Sequence, residues 1–370
     1  MLTEARRKVT EALVAYDPIP LPRCASRASH EEVAADVHRW ATSPPLRDLV
    51  TAFGGAPPPA ADGSATAPLL AWLDDFSAGC WNFRGGAERY EARAPELDAE
   101  TAALVVSAAE ALGLVHGTGP LHDRYHHMIV LGGLARACLH RTSYAAALLT
   151  GGLVGRPEVA ALGSFRPLTT AEHALLAERG AAGCRDEMDA LDAGVRRYLG
   201  LREPASDESD PQPGNRQVSW RVRTYRREPG PTVRVLAAPS GDAGRRANTA
   251  DTQRYWAELL RPAPGDRVLV VTSAVYVPFQ HADAIRTLGV PLGVDVDTVG
   301  VEARWSPEAG LHQPVAPGTY LQELRSAIRS MRALHDALSG GRTRAGQRAA
   351  VSAMASRNAS ERCSKLRNRP

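Results

Sequence analysis

From Met128 to Val301 the chain alternates short apolar runs with stretches of helical character, and no other feature restricts its fold so tightly. The runs are Met128–Leu131, Val159–Ser164, Val233–Ala238, Val268–Thr272 and Val294–Val301, and helical patterns follow Leu134, Thr170, Asn248 and Phe279. An unbroken apolar run buries both faces of a strand, and a helical crossover makes the next strand parallel to the last. The pattern therefore predicts an α/β fold over residues 121–338, a Rossmann-like parallel sheet with helices on both faces. One stretch interrupts it. Glu203–Gln217 (EPASDESDPQPGNRQ) is acidic and Pro-rich and predicts a mobile surface loop, after which Val218–Tyr225 alternates like a strand able to form a hairpin with Val233–Ala238.

Residues 1–120 read as a helical N-terminal region. Thr3–Tyr16, Ser29–Thr42 and Thr101–Leu114 carry apolar residues at helical spacing, and Ser29-His-Glu-Glu and Asp98-Ala-Glu-Thr are helix start signals. Between them Gly54–Pro68 (GGAPPPAADGSATAP) predicts a linker excluded from helix and central strand. The aromatics Trp72, Phe76, Trp81, Phe83 and Tyr90 follow closely and predict packing of this region onto the α/β part. Tyr320–Leu338 is a strongly amphipathic helix. Residues 339–370 hold eight Lys/Arg and one acid without periodicity, which predicts a disordered basic tail and leaves 36 basic against 40 acidic groups in the rest.

No apolar run of about 18 residues exists, so no membrane span is predicted, and the opening MLTEARRKVTEALVAYD lacks the apolar core of a signal peptide. The expected location is the cytoplasm. Five widely spaced cysteines without a C-x-x-C pair argue against a disulfide framework or a thiolate zinc site. His122, His126 and His127 in HDRYHH match no standard zinc spacing, and no metal is expected.

In an open parallel sheet the ligand sits outside the carboxyl ends of the strands, so each turn after a strand is a candidate site. After the first strand come Gly132 and Gly133, then Arg136 and Arg141 early in the following helix, where cations are unfavourable unless an anion is near. Paired glycines admit unusual backbone conformations and a close ligand, and the unpaired amides of a helix start favour an anion. The second turn offers Ser164, Arg166 and Glu172, and Asp186 leads into a helix opened by Glu187. The third, Ser240-Gly-Asp-Ala-Gly-Arg-Arg-Ala-Asn-Thr-Ala-Asp, places Asn248, Thr249 and Asp251 at a helix start, and the fourth offers Thr272, Ser273, Gln280 and His281. Glu172 and Glu187 are the candidate catalytic acids. As ordinary first-turn acids they would only stabilise their helices.

The order of these motifs over about residues 125–335 resembles the SanA/YdcF family of bacterial proteins: VLGG, a strand with a polar end and a Glu, a helix entered through Asp-Glu-Met, Asn-Thr with an acid shortly after, and VLVVTS with Pro and a helix. The resemblance implies a Rossmann-like domain, with envelope functions in some members and S-adenosylmethionine binding in one. By position it carries over Gly132, Gly133, Glu172, Glu187, Asn248, Thr249, Asp251, Thr272 and Ser273 as ligand-site residues. Members commonly follow the VTS strand with a histidine and, three residues on, an arginine. Here Tyr276 and Phe279 or Gln280 stand in those places.

Taken together, the expected function is that of a small-molecule transferase with a nucleotide-bearing donor such as S-adenosylmethionine at the carboxyl edge of the sheet. The alternatives are a non-catalytic ligand-binding or regulatory protein, and an aminoacyl-tRNA-dependent transferase holding RNA through its basic tail.

Overall fold

The computed structural model describes residues 15–24, 28–59, 63–84, 94–151, 153, 157–226, 230–305, 308, 310–311 and 315–340. Most of the helix expected over Thr3–Tyr16, the aromatic Tyr90 and the tail from residue 341 lie outside them.

Seven strands form one sheet: β1 (His127–Leu131), β2 (Glu158–Gly163), β3 (Ser206–Asp210), β4 (Trp220–Tyr225), β5 (Val233–Ala237), β6 (Arg267–Ser273) and β7 (Asp295–Val301). Their order is β3-β4-β5-β2-β1-β6-β7. Strands β5, β2, β1, β6 and β7 are parallel, as their apolar runs predict, and β4 pairs antiparallel with β5. The expected hairpin is therefore present. The sheet itself is mixed, because β3 pairs antiparallel with β4.

Strand β3 corrects the reading of Glu203–Gln217 as a loop throughout. Its sequence, SDESD, has no apolar residue, so hydrophobic pattern cannot reveal it. The partner strand supplies the attraction, since Asp207 takes Arg221 at 2.6 Å and Arg223 at 3.2 Å. A strand this short and acidic also suits a sheet edge, where charge discourages pairing with other chains.

Before the sheet come α1 (His30–Ala41), α2 (Pro44–Ala52), α3 (Thr66–Cys80) and α4 (Ala99–Ala111). The Ser29 hydroxyl and Glu32 carboxylate form a reciprocal cap on α1, and Asp98 caps α4, as their start signals predict. The linker reading fails at its end, where Pro68 falls in the first turn of α3, a place that tolerates the missing N–H. Within the sheet region lie α5 (Ala135–Thr150), α6 (Thr170–Ala177), α7 (Glu187–Leu199), α8 (Thr249–Leu260) and α9 (Val277–Ala284), which continues through a π turn at Ile285–Gly289. The last element among the described residues is α10 (Pro317–Gly340).

Two apolar layers hold these elements. Met128, Val130, Val235 and Val271 face α5 and α7 through Leu139, Met188 and Leu191. Ile129, Leu236 and Val270 face the other way, toward Trp256 of α8, Ile285 and the Leu324–Met331 stretch of α10. That second layer continues without a break into Trp40, Leu70 and Val105 of the N-terminal helices. The helical region thus shares its core with the sheet, and α10 binds the two by packing on α1, α3, α4 and α9.

The chain runs from β1 to β2 on one side, and β6 lies on the other side of β1. Chain order therefore reverses between β1 and β6. At such a reversal the helices leave on opposite faces and a crevice opens at the carboxyl ends of the strands.

Candidate functional site

A cleft of about 730 Å³ opens at that edge. Of the residues that sequence reasoning selects, Gly132, Gly133, Arg141, Ser164, Arg166, Glu187, Asn248, Thr249 and Gln280 line it. Arg136, Glu172, Asp251, Thr272, Ser273 and His281 are not among its lining residues.

Gly132 carries the sheet into the crevice, its amide donating to Leu162 O at 2.8 Å. Neither Gly132 nor Gly133 takes a left-handed φ, so conformational freedom is not the reason for the pair. The reason at Gly132 is space: a Cβ there would lie 2.5 Å from Glu187 Oε1 and 2.8 Å from Leu162 O. At Gly133 the nearest neighbour of a Cβ is Ala137 Cβ at 3.4 Å, an ordinary contact.

Sequence reasoning places a ligand anion at the start of α5, and the protein supplies one of its own. Glu172 Oε1 accepts from Ala135 N at 2.7 Å, and its Oε2 accepts from Thr169 N at 2.9 Å in a reciprocal cap of α6. Arg166 donates to both oxygens, at 2.7 and 3.0 Å, and to Gly133 O at 2.9 Å. Burial alone would raise the pKa of Glu172, but the Arg166 guanidinium with the Thr169 and Ala135 amides lowers it to about 2. So placed, Glu172 is a poor proton acceptor at neutral pH and a good clamp.

Arg141 is also structural. It is buried, and it donates to Leu131 O at 2.9 Å, to Gly132 O and to Ser273 Oγ at 3.1 Å, with its guanidinium 5.4 Å from the Tyr276 ring centre. It ties the end of β1 to the end of β6 across the reversal. Thr272 donates to Gln280 Oε1, which fixes the start of α9 on β6. Asp251 caps α8 reciprocally with Asn248 and pairs with Arg245, which it presents to the cleft. Arg136 reaches out to Gly310 O. His281 is buried between Thr298 Oγ1 at 2.9 Å and Pro22 O at 2.7 Å, where it fastens the N-terminal segment to β7.

Glu187 differs from these. It stands at the start of α7 beneath Gly132, and its Oε2 accepts from Ser164 Oγ at 2.6 Å and from Ser164 N at 3.1 Å. Burial pushes its carboxyl above the ordinary range, against the pull of Arg166 and Arg246. A carboxyl shifted upward at the floor of a cleft is a candidate general acid or base.

Sequence reasoning missed several walls. Arg245 and Arg246 line the β5 end of the cleft, and the adjacent pair inside a polar turn was their only signal. Tyr276 and Phe279 line the β6 end, and α10 adds Thr319, Gln322 and Glu323. Gln322 and Glu323 sit on the buried side of an amphipathic helix, at 4% and 1% exposure, and polar residues on such a face are a readable signal of a site. Phe83 and Arg84 come from the N-terminal helical region, Phe83 N donating to Gln322 Oε1 at 2.9 Å.

The histidines of HDRYHH separate: His126 Nδ1 accepts from Arg267 N, His127 meets Asp266 at 3.2 Å, and His122 stacks edge-on with Tyr125. A second cavity of about 420 Å³ lies beside α7, but its charged walls bind one another, Arg223 bridging Asp189 at 3.2 Å and Asp192 at 3.0 Å.

Residues 24–113 match the family model of the Rv3785 N-terminal domain. The proteins Rv3785 of Mycobacterium tuberculosis (strain ATCC 25618 / H37Rv) and Mb3814 of Mycobacterium bovis are each 31% identical to this chain over 366 residues, which is 92% of this chain and 98% of the relative. The chain belongs to the Rv3785 family. Both relatives carry the description "uncharacterized protein", so family membership brings no activity with it. No solved structure matches the chain. In this Rv3785-family fold the matched domain does more than pack: it brings Phe83 and Arg84 to the cleft. Among the described residues no helix is long and apolar enough to cross a membrane.

Proposed function

We propose that the cleft binds a nucleotide-bearing small molecule, with S-adenosylmethionine and nucleoside phosphates as the classes to test, and that the protein is a cytoplasmic transferase in which Glu187 is the general base. One observation carries the reading. The turns after β1, β2, β5 and β6 converge on a single cleft at the point where chain order reverses, and Arg166, Arg245 and Arg246 stand in its wall. Guanidinium groups bind phosphate and carboxylate oxygens in pairs, and a partly closed cleft strengthens that attraction. Glu187, held by Ser164 at the centre, is placed to take a proton from an attacking hydroxyl or amine. The likeness of the motif order to SanA/YdcF supports the same location for the ligand.

A second reading, a regulatory protein that binds without turnover, is favoured by Tyr276 and Phe279, which stand where the likeness to SanA/YdcF expects a His/Arg pair. Rings of this kind bind a ligand by stacking and apolar contact. Thermal-shift titration of the full chain against S-adenosylmethionine, ADP, inorganic pyrophosphate and tRNA tests the binding that both readings require, and turnover of a bound donor then separates them. A ligand that binds only the folded state raises the melting temperature with its concentration. We expect a rise with a nucleotide-bearing compound. A rise with tRNA alone points to the basic tail of residues 339–370, and no rise with any probe removes the cleft as a nucleotide site.

A further inference from the structure

The cleft changes character from one end to the other. The turns that line it follow β5, β2, β1 and β6, which stand in that order, so it crosses roughly 14 Å of sheet edge at the usual strand spacing. At the β5–β2 end its side chains include Arg166, Arg245 and Arg246. At the β6 end stand Tyr276 and Phe279, with Arg84 and Glu323 beside them and the Arg141 guanidinium, held by Leu131 O, Gly132 O and Ser273 Oγ, 5.4 Å from the Tyr276 ring. Helix α10 packs along α9 and against the Ala274–Tyr276 turn that follows β6, and Gln322 of α10 holds the backbone of Phe83 in place.

Resting on the reading above, we propose that the ligand lies across the sheet as a nucleoside phosphate, its anionic end at the β5–β2 arginines and its base against Phe83 and Phe279. The family's N-terminal domain is then the part that selects the base. The chemistry of each end supports this direction. Phosphate oxygens need paired N–H donors, which guanidinium groups supply. A base needs a flat apolar face, which an aromatic ring supplies whatever the base sequence of donors and acceptors. A span of roughly 14 Å is long enough to hold both ends at once. Glu187, beneath Gly132 at the centre, then lies beside the ribose that joins base to phosphate, where its carboxylate can accept from a ribose hydroxyl.

The direction is tested by calorimetric titration of the full-length protein and its Phe83→Leu, Phe83→Tyr and Arg246→Met variants with ADP and with inorganic pyrophosphate, each variant first shown to melt like the parent. Phe83→Leu is expected to weaken ADP by roughly tenfold, to leave pyrophosphate unchanged and to be rescued by Phe83→Tyr, which restores the ring. Arg246→Met is expected to weaken both ligands. Unchanged ADP binding by Phe83→Leu, or an equal loss of ADP and pyrophosphate, overturns the assignment of Phe83 to the base while leaving the cleft as a nucleotide site. Failure of the parent protein to bind either probe overturns the nucleotide reading itself.

Discussion

The Glu172 carboxylate accepts a 2.7 Å hydrogen bond from the amide of Ala135, the first residue of α5. A helix start at the end of a Gly-Gly turn attracts an anion, and here the anion is a side chain delivered from the next turn of the sheet edge. The same carboxylate is paired with Arg166, so one residue closes α5, caps α6 and orients an arginine in the cleft wall. The proposed ligand site thereby lies away from the first glycine turn, toward Glu187 and the arginines of the third turn.

Replacing Glu172 with Gln is expected to lower stability by about 3 kcal/mol, because it leaves Arg166 buried without its charge partner. The pH dependence has a definite sign. The folded-state value of about 2 lies below the ordinary 4.5, so the stabilisation is present above 4.5 and is lost as pH falls toward 2. Urea denaturation at pH 7 and at pH 3 should show a smaller gap between parent and variant at the lower pH. An equal gap at both would detach Glu172 from the acid sensitivity of the fold.

Glu187 behaves in the opposite sense. Its folded-state value lies above the ordinary 4.5, so its carboxyl favours folding when protonated and disfavours it increasingly as pH rises past that value. Glu187→Gln should therefore gain melting temperature relative to the parent as pH is raised from 5 to 8. With a substrate in hand the same variant is expected to keep its fold and lose roughly 10²–10⁴ in rate. Full turnover by Glu187→Gln would remove it as the base.

The two glycines of the turn should respond differently. Gly132→Ala drives a methyl group against Glu187 Oε1 and Leu162 O and is expected to cost about 1–3 kcal/mol. Gly133→Ala meets only ordinary contacts and should melt close to the parent. Equal melting temperatures for the two variants would show that the crevice yields at Gly132.

Arg141 and Arg246 divide structure from binding. Arg141→Met strips donors from Leu131 O, Gly132 O and Ser273 Oγ and is expected to lower stability by about 1–3 kcal/mol in chemical denaturation. Arg246→Met is expected to weaken a phosphate-bearing ligand by about 1.5–3 kcal/mol. A reversal of these two results would exchange their roles.

The strands of the parallel sheet were legible because each buries both faces, and double burial writes an unbroken apolar run such as Met128–Leu131 into the chain. Helix starts at Ser29, Asp98 and Asn248 were legible for a similar reason, since a cap joins residues only three positions apart. The sequence alone also pointed to a crevice at the strand ends, because chain order dictates where one opens. What it did not determine was which polar group at that edge is free for a ligand. Glu172 and Glu187 look alike in the chain, each an acid in the first turn of a helix. Tertiary structure separates them, giving Arg166 and the Ala135 amide to one and a Ser164 hydroxyl on the cleft floor to the other. The same holds for β3, whose partner arginines lie 14 and 16 residues away, and for Phe83, which reaches the cleft through a hydrogen bond to a residue 239 positions later. Contacts between residues so far apart are decided by how whole layers pack, and no local pattern records them.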